Sequence, residues 1–310
     1  MAPLARLRRI PHVVQAVSTL RRTRCWLLSA LIVGIVVSGA QGLERMKNGM
    51  AEVNGTSLYY EVAGKGFPLV LISGGGVLDR RGWDNQFETF AQHYKVIRYD
   101  IRGLGKSARP SKPFSHSSDL YALLKYLKVT KAHIVGLSFG GAIAIDFALE
   151  HPEMVSSLVL ASTATSDNSK SKENVDSLLA LTAMTKRDGL AKTSQFVTEL
   201  PFVISQENAA AKEKIRQIYL DNSDLFESGF TLVTLWMPAE PPAQSRLSEI
   251  RAPTLVLLGE NDHPSYKSLS DTLAAGITGA KKVVIPGGTH LLHLDKPEAF
   301  NRVVLEFLRK

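Results

Sequence analysis

Ser138 lies in Val-Gly-Leu-Ser-Phe-Gly-Gly, residues 135–141, with Gly136 and Gly140 two positions to either side. A serine hydroxyl is a weak nucleophile. To attack a carbonyl it needs a histidine to take its proton, and that histidine needs an acid to fix its tautomer and stabilise the imidazolium. Two later stretches offer these partners. "LLGENDHP", 257–264, places Asp262 just past one apolar run, and "GGTHLLHLDKP", 287–297, places His290 just past another. The chemistry such a set performs is covalent acyl transfer, with the serine as nucleophile and water releasing the acyl group. Alternatives stand beside each residue. The pentapeptide around Ser138 also suits a glycine-rich turn that packs a helix closely on a strand. Glu260 precedes Asp262 by two residues and competes for the role of acid. His263 is either a pocket residue or a solvated loop histidine. His293 follows His290 by three, a spacing usable for a metal on a helix, but no His-Glu-x-x-His or carboxylate pattern accompanies it, so neither a metal nor a cofactor is expected.

The surrounding pattern supplies what would position these groups. Short β-prone runs at 57–64, 68–73, 95–100, 132–137, 155–163, 253–260 and 281–287 alternate with helical patterns at 83–94, 119–128, 140–152, near 266–276 and from 297 to the end. That rhythm predicts an α/β fold, with a mostly parallel central sheet covered by helices on both faces. It is interrupted between about 166 and 249, where the sequence is helical and amphipathic without a clear strand. A core of residues 50–165 and 250–310 carrying an inserted helical cap, 166–249, is therefore expected. Ser138 falls between a strand and a helix. There a sharp reversal would hold it in a strained conformation, with the glycines removing side chains that would collide and the helix N-terminus favouring a developing oxyanion.

Composition narrows the partners. With 45% hydrophobic and 21% charged residues the chain reads as globular, and its formal charge of +8 is concentrated at one end. Residues 1–43 hold six arginines and no acidic residue, which leaves +2 for the rest and removes the electrostatic case for a nucleic-acid partner. The same region has a basic start, an apolar run from Cys25 to Ala40, and small residues Ser38, Gly39 and Ala40 before Gln41. These are the marks of an export signal, which predicts a periplasmic or secreted protein. The alternatives are an uncleaved membrane anchor at 25–40, a start nearer Val17, a mitochondrial presequence, or a twin-arginine signal at Arg21 and Arg22. Membrane contact is expected only through this segment. The single cysteine, Cys25, lies within it, so the body has no disulfide and no thiol nucleophile.

"DIRGLGKS", 100–107, ends like a phosphate-binding loop, but the glycine such a loop requires five positions before its Gly-Lys-Ser end is Asp100. A carboxylate there would repel a phosphate. The stretch is better explained by what the whole chain resembles. On "GLSFGG", "LLGENDHP", "GGTHLLHLDKPEAFN" and "YDIRGLGKS", residues 50–310 are similar to the α/β-hydrolase superfamily, of the type with a helical cap. The order Ser138, Asp262, His290 is the order that superfamily uses.

The resemblance implies that Asp100, Arg102, Gly103, Gly105 and Ser107 form the loop that follows the strand preceding the nucleophile strand. Asp100 and Arg102 are expected to make a buried pair, with Lys106 solvated. It also implies an oxyanion hole from the backbone N–H of Phe139 and one from "SGGG", 73–76, where many relatives carry His-Gly. Gly75 is the expected donor, with Gly76 the other possible register. It places the acid three residues after Gly259, at Asp262. A serine nucleophile argues against the carboxylate-based attack of dehalogenases and epoxide hydrolases. What remains is a serine hydrolase, by default a carboxylesterase or lactonase acting on a small to medium apolar substrate. A serine aminopeptidase of the proline-iminopeptidase type and a non-catalytic binding protein on the same fold are the alternatives. Phe196, Phe202, Phe226, Phe230, Trp236 and Met237 would be pocket wall or the cap's own core. Oligomeric state is not encoded in any of these features.

Overall fold

The computed structural model describes residues 46–75, 78–222 and 234–309. The leader, Gly76, Phe226 and Phe230 fall outside them. Eight strands form one sheet: β1 (Lys47–Val53), β2 (Thr56–Ala63), β3 (Pro68–Ile72), β4 (Lys95–Tyr99), β5 (Ala132–Leu137), β6 (Val155–Ala161), β7 (Thr254–Gly259) and β8 (Lys281–Ile285). Their order across the sheet is β1-β2-β4-β3-β5-β6-β7-β8. β1, β2 and β4 pair antiparallel, and every other neighbouring pair is parallel.

Helices supply the crossovers and cover both faces: α1 (Asp84–Ala91), α2 (His116–Tyr126) and α3 (Phe139–Glu150) in the first half, α7 (Pro264–Gly276) and α8 (Pro297–Leu308) in the second. β5 and β7 are buried along their whole length, which is why they read as unbroken apolar runs rather than alternating ones. α3 is buried from Gly140 to Leu149 because it lies against the middle of the sheet. Between β6 and β7 the chain leaves the sheet for a one-turn helix at Ser166–Ser169, then α4 (Lys172–Asp188), α5 (Leu190–Glu199), α6 (Ala209–Asp221) and a 3₁₀ segment at Ala243–Glu249.

β1 has no counterpart among the sequence expectations. It is an outer strand with Lys47, Asn48 and Gly49 at its start and Ala51 as its only buried residue, so it carries no apolar signature. Its place is fixed instead by the Asn54-Gly55 turn, both residues at positive φ, which joins it to β2 as a tight hairpin.

Chain direction reverses around β3. The chain moves from β3 outward to β4 and then returns to β5 on the other side, so β3 and β5 flank a topological switch point, where loops at the strands' carboxyl ends diverge and leave a crevice. The parallel registers align Ile72 with Gly136, Leu137 with Ala161 and Gly259 with Ile285. Ser138, the loop after Gly259 and the loop after Ile285 therefore emerge at one edge of the sheet.

Candidate active site

Ser138 sits between β5 and α3 with φ 50° and ψ −118°, a conformation that L-residues rarely adopt and that costs on the order of 1–3 kcal/mol. Neighbours enforce it. A Cβ at Gly136 would lie 2.4 Å from the Gly140 carbonyl oxygen, and one at Gly140 would lie 2.3 Å from the carbonyl oxygens of Ile72 and Ser73. Only glycines at both positions let the helix start this close to β5 and β3. The Ser138 N–H donates to the Ala161 carbonyl at 2.8 Å, and its own carbonyl accepts from the Gly141 N–H at 3.0 Å.

The loops after β7 and β8 bring the other two residues to it. Ser138 Oγ is 3.0 Å from His290 Nε2, and His290 Nδ1 is 3.1 Å from Asp262 Oδ1. Asp262 is buried and also accepts from the His263 N–H at 2.7 Å. Glu260 points elsewhere: it is exposed and accepts from the Gly287 N–H at 2.8 Å. Tyr266, in the first turn of α7, lays its ring 4.3 Å from that of His290. Burial raises the Tyr266 phenol pKa, and the nearby Asp262 charge adds to the rise.

Gly75 and Phe139 are brought together, since a Cβ at Gly75 would stand 2.9 Å from that of Phe139. Phe139 is the first residue of α3, where a backbone N–H has no intrahelical acceptor. Both candidate oxyanion donors thus adjoin the Ser138 turn, and the Gly76 register lies outside the described residues. His293 is packed against Trp83 at 4.5 Å and buried, and burial lowers its pKa to about 3, so it is a neutral packing residue. No cluster of metal-ligating side chains occurs among the described residues.

The expected pairing of Asp100 with Arg102 is not what forms. Asp100, fully buried, is held by Arg80: Nη1 donates to Oδ2 at 2.9 Å and the Arg80 N–H to Oδ1 at 3.0 Å. Arg80 also binds Glu61, which Arg98 binds from its other side. Arg102 instead grips Asp119 of α2, with Nε at 2.8 Å and Nη2 at 2.6 Å. The chain turns sharply just after Arg102, through Gly103 at φ 93° and Gly105 at φ 52°. A side chain at Gly105 would strike the Asp100 carboxylate, 2.3 Å away. Ser107 closes the loop by donating to the Asp100 carbonyl at 2.6 Å, and Lys106 is exposed with its Nζ 4.6 Å from the centre of the Tyr59 ring.

A pocket of about 140 Å³ opens beside Ser138 and His290. Its floor is Gly74, Gly75, Ser138 and His290, and its walls are Leu78 and Leu291 from the sheet side with Val197, Val203, Ile215 and Tyr219 from the insertion. None of the described aromatic candidates in the insertion is among these. Phe196 and Met237 are exposed, Trp236 is buried against Phe139 at 4.8 Å, and Phe202 packs its ring, tilted by 59°, against that of His263 at 5.0 Å. Composition shows which side chains are apolar; which of them face a cavity depends on how α5 and α6 are rotated. The insertion also reaches the histidine loop through its backbone. The carbonyls of Phe202 and Val203 accept from the N–H groups of His290 and Leu291 at 2.7 and 3.1 Å, and the Val203 carbonyl takes Thr289 Oγ1 as well. Backbone acceptors leave no trace in residue type, and nothing in the sequence marked them. Tyr266 had one usable signal: it follows Asp262 by four residues, just inside a helix that begins beside it.

With this geometry in place, the family model of the alpha/beta hydrolase fold matches residues 68–297. A 2-hydroxy-6-oxononadienedioate/2-hydroxy-6-oxononatrienedioate hydrolase from Burkholderia vietnamiensis is 31% identical over 272 residues, 83% of this chain and 93% of that protein. Among solved structures, Est816, an N-acyl homoserine lactone degrading enzyme, is similar at a TM-score of 0.69 and 29% identity, covering 84% of this chain and 100% of that one. A thermophilic esterase from Thermogutta terrifontis matches at 0.70 and 25% identity, covering 85% and 98%. The chain belongs to the alpha/beta hydrolase fold family.

Proposed function

From that membership, which supports a hydrolase, we propose that the protein is a serine hydrolase acting through an acyl-enzyme, a carboxylesterase or lactonase on small uncharged substrates. The observation that carries the reading is the chain of contacts from Ser138 Oγ through His290 to Asp262, opening on an apolar pocket. In this mechanism Ser138 Oγ attacks the carbonyl carbon as His290 Nε2 takes its proton, Asp262 holds the imidazole, and the N–H groups of Gly75 and Phe139 receive the oxyanion. His290 then gives its proton to the leaving oxygen, and water repeats the sequence to free the acid.

The character of the pocket separates the substrate classes found among the relatives. A dioate carries two carboxylates and needs cationic partners to leave water. The pocket wall has no lysine or arginine, and the undescribed stretch 223–233 of the insertion contains none. The described wall likewise offers no carboxylate for a peptide's α-ammonium group, which disfavours the aminopeptidase reading. An uncharged ester or lactone enters without either demand, and its acyl group fits a volume of this size.

Turnover of a panel of short-chain esters and lactones by residues 41–310, set against Ser138→Ala, tests the reading. The parent should hydrolyse at least part of the panel and be labelled at Ser138 by a fluorophosphonate, and the variant should do neither. A parent that is inert to both removes the proposal. We further propose that the leader directs export, or anchors the chain if it is retained; a mature N-terminus at Gln41 by mass spectrometry supports export, and retention of 25–40 supports the anchor.

A further inference from the structure

The loop that carries His290 lies between the sheet and the insertion, and the two sides hold different parts of it. On the sheet side a Cβ at Gly259 would lie 2.3 Å from the Thr289 carbonyl oxygen, and the Asn261 N–H donates to the Gly288 carbonyl at 2.7 Å. From Thr289 onward the donors face the other way. The His290 N–H reaches the Phe202 carbonyl at 2.7 Å, and the Leu291 N–H and Thr289 Oγ1 both reach the Val203 carbonyl at 3.1 Å. Three consecutive residues, with His290 in the middle, are thus tied to two residues of the insertion. Any residue but proline supplies an N–H, so the two backbone bonds ask nothing of residue type. The Thr289 hydroxyl is an addition, buried and directed at the same carbonyl as its neighbour.

The turn that presents those carbonyls has its other side in the pocket. The Val203 N–H donates to the Leu200 carbonyl at 3.0 Å, Gln206 Nε2 bridges the carbonyls of Thr198 and Ile204 at 3.2 and 3.1 Å, and Ile204 is fully buried. Val197 and Val203 are pocket wall. One stiff turn therefore meets whatever fills the pocket and also holds the histidine loop. The pocket's volume of about 140 Å³ is close to the roughly 150 Å³ of a cavity that holds a benzene molecule. An acetyl group leaves most of it empty; a longer chain reaches the wall.

Resting on the acyl-transfer reading, we propose that Thr289 is a positioning residue, that Val203 determines specificity, and that the substrates carry acyl groups of about four to six carbons. Such a chain packs on Val197 and Val203, braces the 202–203 turn, and through it holds His290 Nε2 at Ser138 Oγ. The contact then goes into orienting the base rather than into binding alone, so acyl length is read in kcat. His290 takes a proton from Ser138 in the first half of the reaction and from water in the second. Whichever half is slower, kcat reports its placement.

The test compares the full chain with Thr289→Val, Thr289→Ser and Val203→Ala on p-nitrophenyl acetate, butanoate and hexanoate, which share one leaving group. In the parent kcat should rise by about 10-fold from acetate to hexanoate. Thr289→Val keeps the shape and deletes the donor; it should cut that rise below about 3-fold by losing kcat on hexanoate, with KM within about 2-fold of the parent's. Thr289→Ser keeps the donor and should keep the rise, an order that a role in packing alone would reverse, because valine fills the site better than serine. Val203→Ala removes the surface that the chain meets and leaves the three hydrogen bonds. It should flatten the rise too, and it decides the matter by itself if Thr289→Val does not fold. A parent whose kcat ignores acyl length, a Thr289→Val loss confined to KM, a Thr289→Ser as impaired as Thr289→Val, or a Val203→Ala that keeps the full rise overturns the assignment and leaves the acyl-transfer reading standing. A parent inert to all three esters and to fluorophosphonate labelling overturns both.

Discussion

The loops at the carboxyl edge of the sheet and the helical insertion between β6 and β7 are built on different terms. At the sheet edge, position is set by backbone contact: Gly136 and Gly140 have no room for a methyl group, and Asp100 is locked by Arg80 in a fully buried site. In the insertion, α4 has no buried residue, and Leu179 and Phe196 are exposed. Beside the apolar residues that α5 and α6 bury, a few polar ties hold the insertion to the sheet. Asn222 accepts from the Gly105 N–H and donates to Asp79, the 202–203 carbonyls hold the histidine loop, and Asp146 of α3 bonds both Ser166 and Ala239, near the insertion's two ends. Ser138 and its turn are thus fixed by backbone sterics that tolerate little change, while the pocket wall is set by side-chain packing.

The contrast is tested most severely at Asp100. Asp100→Ala leaves Arg80 buried with only Glu61 as an ionic partner and should cost about 3–5 kcal/mol, read from urea unfolding. In double-mutant cycles, Asp100→Ala should couple to Arg80→Met by more than about 1 kcal/mol and to Arg102→Met by less than about 0.5 kcal/mol. The same cycle on Lys172 and Asp176, an exposed pair on α4, should show no measurable coupling. Coupling to Arg102 as large as that to Arg80 would mean that Arg102 shares in holding the Asp100 carboxylate; coupling on α4 would erase the difference between the two regions.

A smaller effect is expected where one buried acid ties the regions together. Burial raises the Asp146 pKa to about 7, opposed by the donors Ser166 Oγ and the Ala239 N–H and assisted by the charges of Glu150 and Asp167; Arg246 is the nearby cation. In the unfolded chain an aspartate titrates near about 3.9. Between these values the folded state binds a proton that the unfolded state does not, so Asp146's contribution to stability, full below about 4, is lost as pH rises to about 7. Asp146→Asn removes that dependence. Its melting temperature relative to the parent should therefore rise by several degrees between pH 5 and pH 8. A constant difference across that range would show that Asp146 does not titrate there, and the tie between the regions would have to be sought in Asn222 and the 202–203 carbonyls.

What the sequence disclosed follows the same division. Strands β3 to β7 were legible because a sheet buried on both faces demands apolar runs, β2 and β8 because they keep enough β-branched and aromatic residues, and β1 was not, because one buried alanine makes no pattern. Ser138, Asp262 and His290 could be located because each follows the end of a strand and their residue types are restricted by the chemistry. The partner of Asp100 could not, since Arg80 lies twenty residues away on the loop after β3 and only the β3–β4 pairing brings the two loops together. Nor could the pocket wall. Val197, Ile215 and Tyr219 differ from Phe196 and Leu220 only in which face of α5 or α6 they occupy, and apolar residues on both the buried and the exposed faces blur the phase to read.

The smallest effect is expected at Lys106, whose place in "GLGKS" first suggested a phosphate. Its N–H donates to Asp100 Oδ2 at 2.9 Å, a bond that any residue but proline would make. Only the side chain is particular to lysine, and its Nζ, exposed above the Tyr59 ring, makes a cation–π contact worth about 0.5–1 kcal/mol at such a site. Lys106→Ala should therefore lower stability by no more than about 1 kcal/mol, leave ester turnover unchanged, and leave the protein without affinity for ATP by calorimetry, as in the parent. A tenfold loss of turnover, or nucleotide binding that disappears with the lysine, would make the loop a ligand site. Its two glycines would then serve a phosphate, and the carboxylate they enclose would need a cation beyond Arg80 to let that phosphate approach.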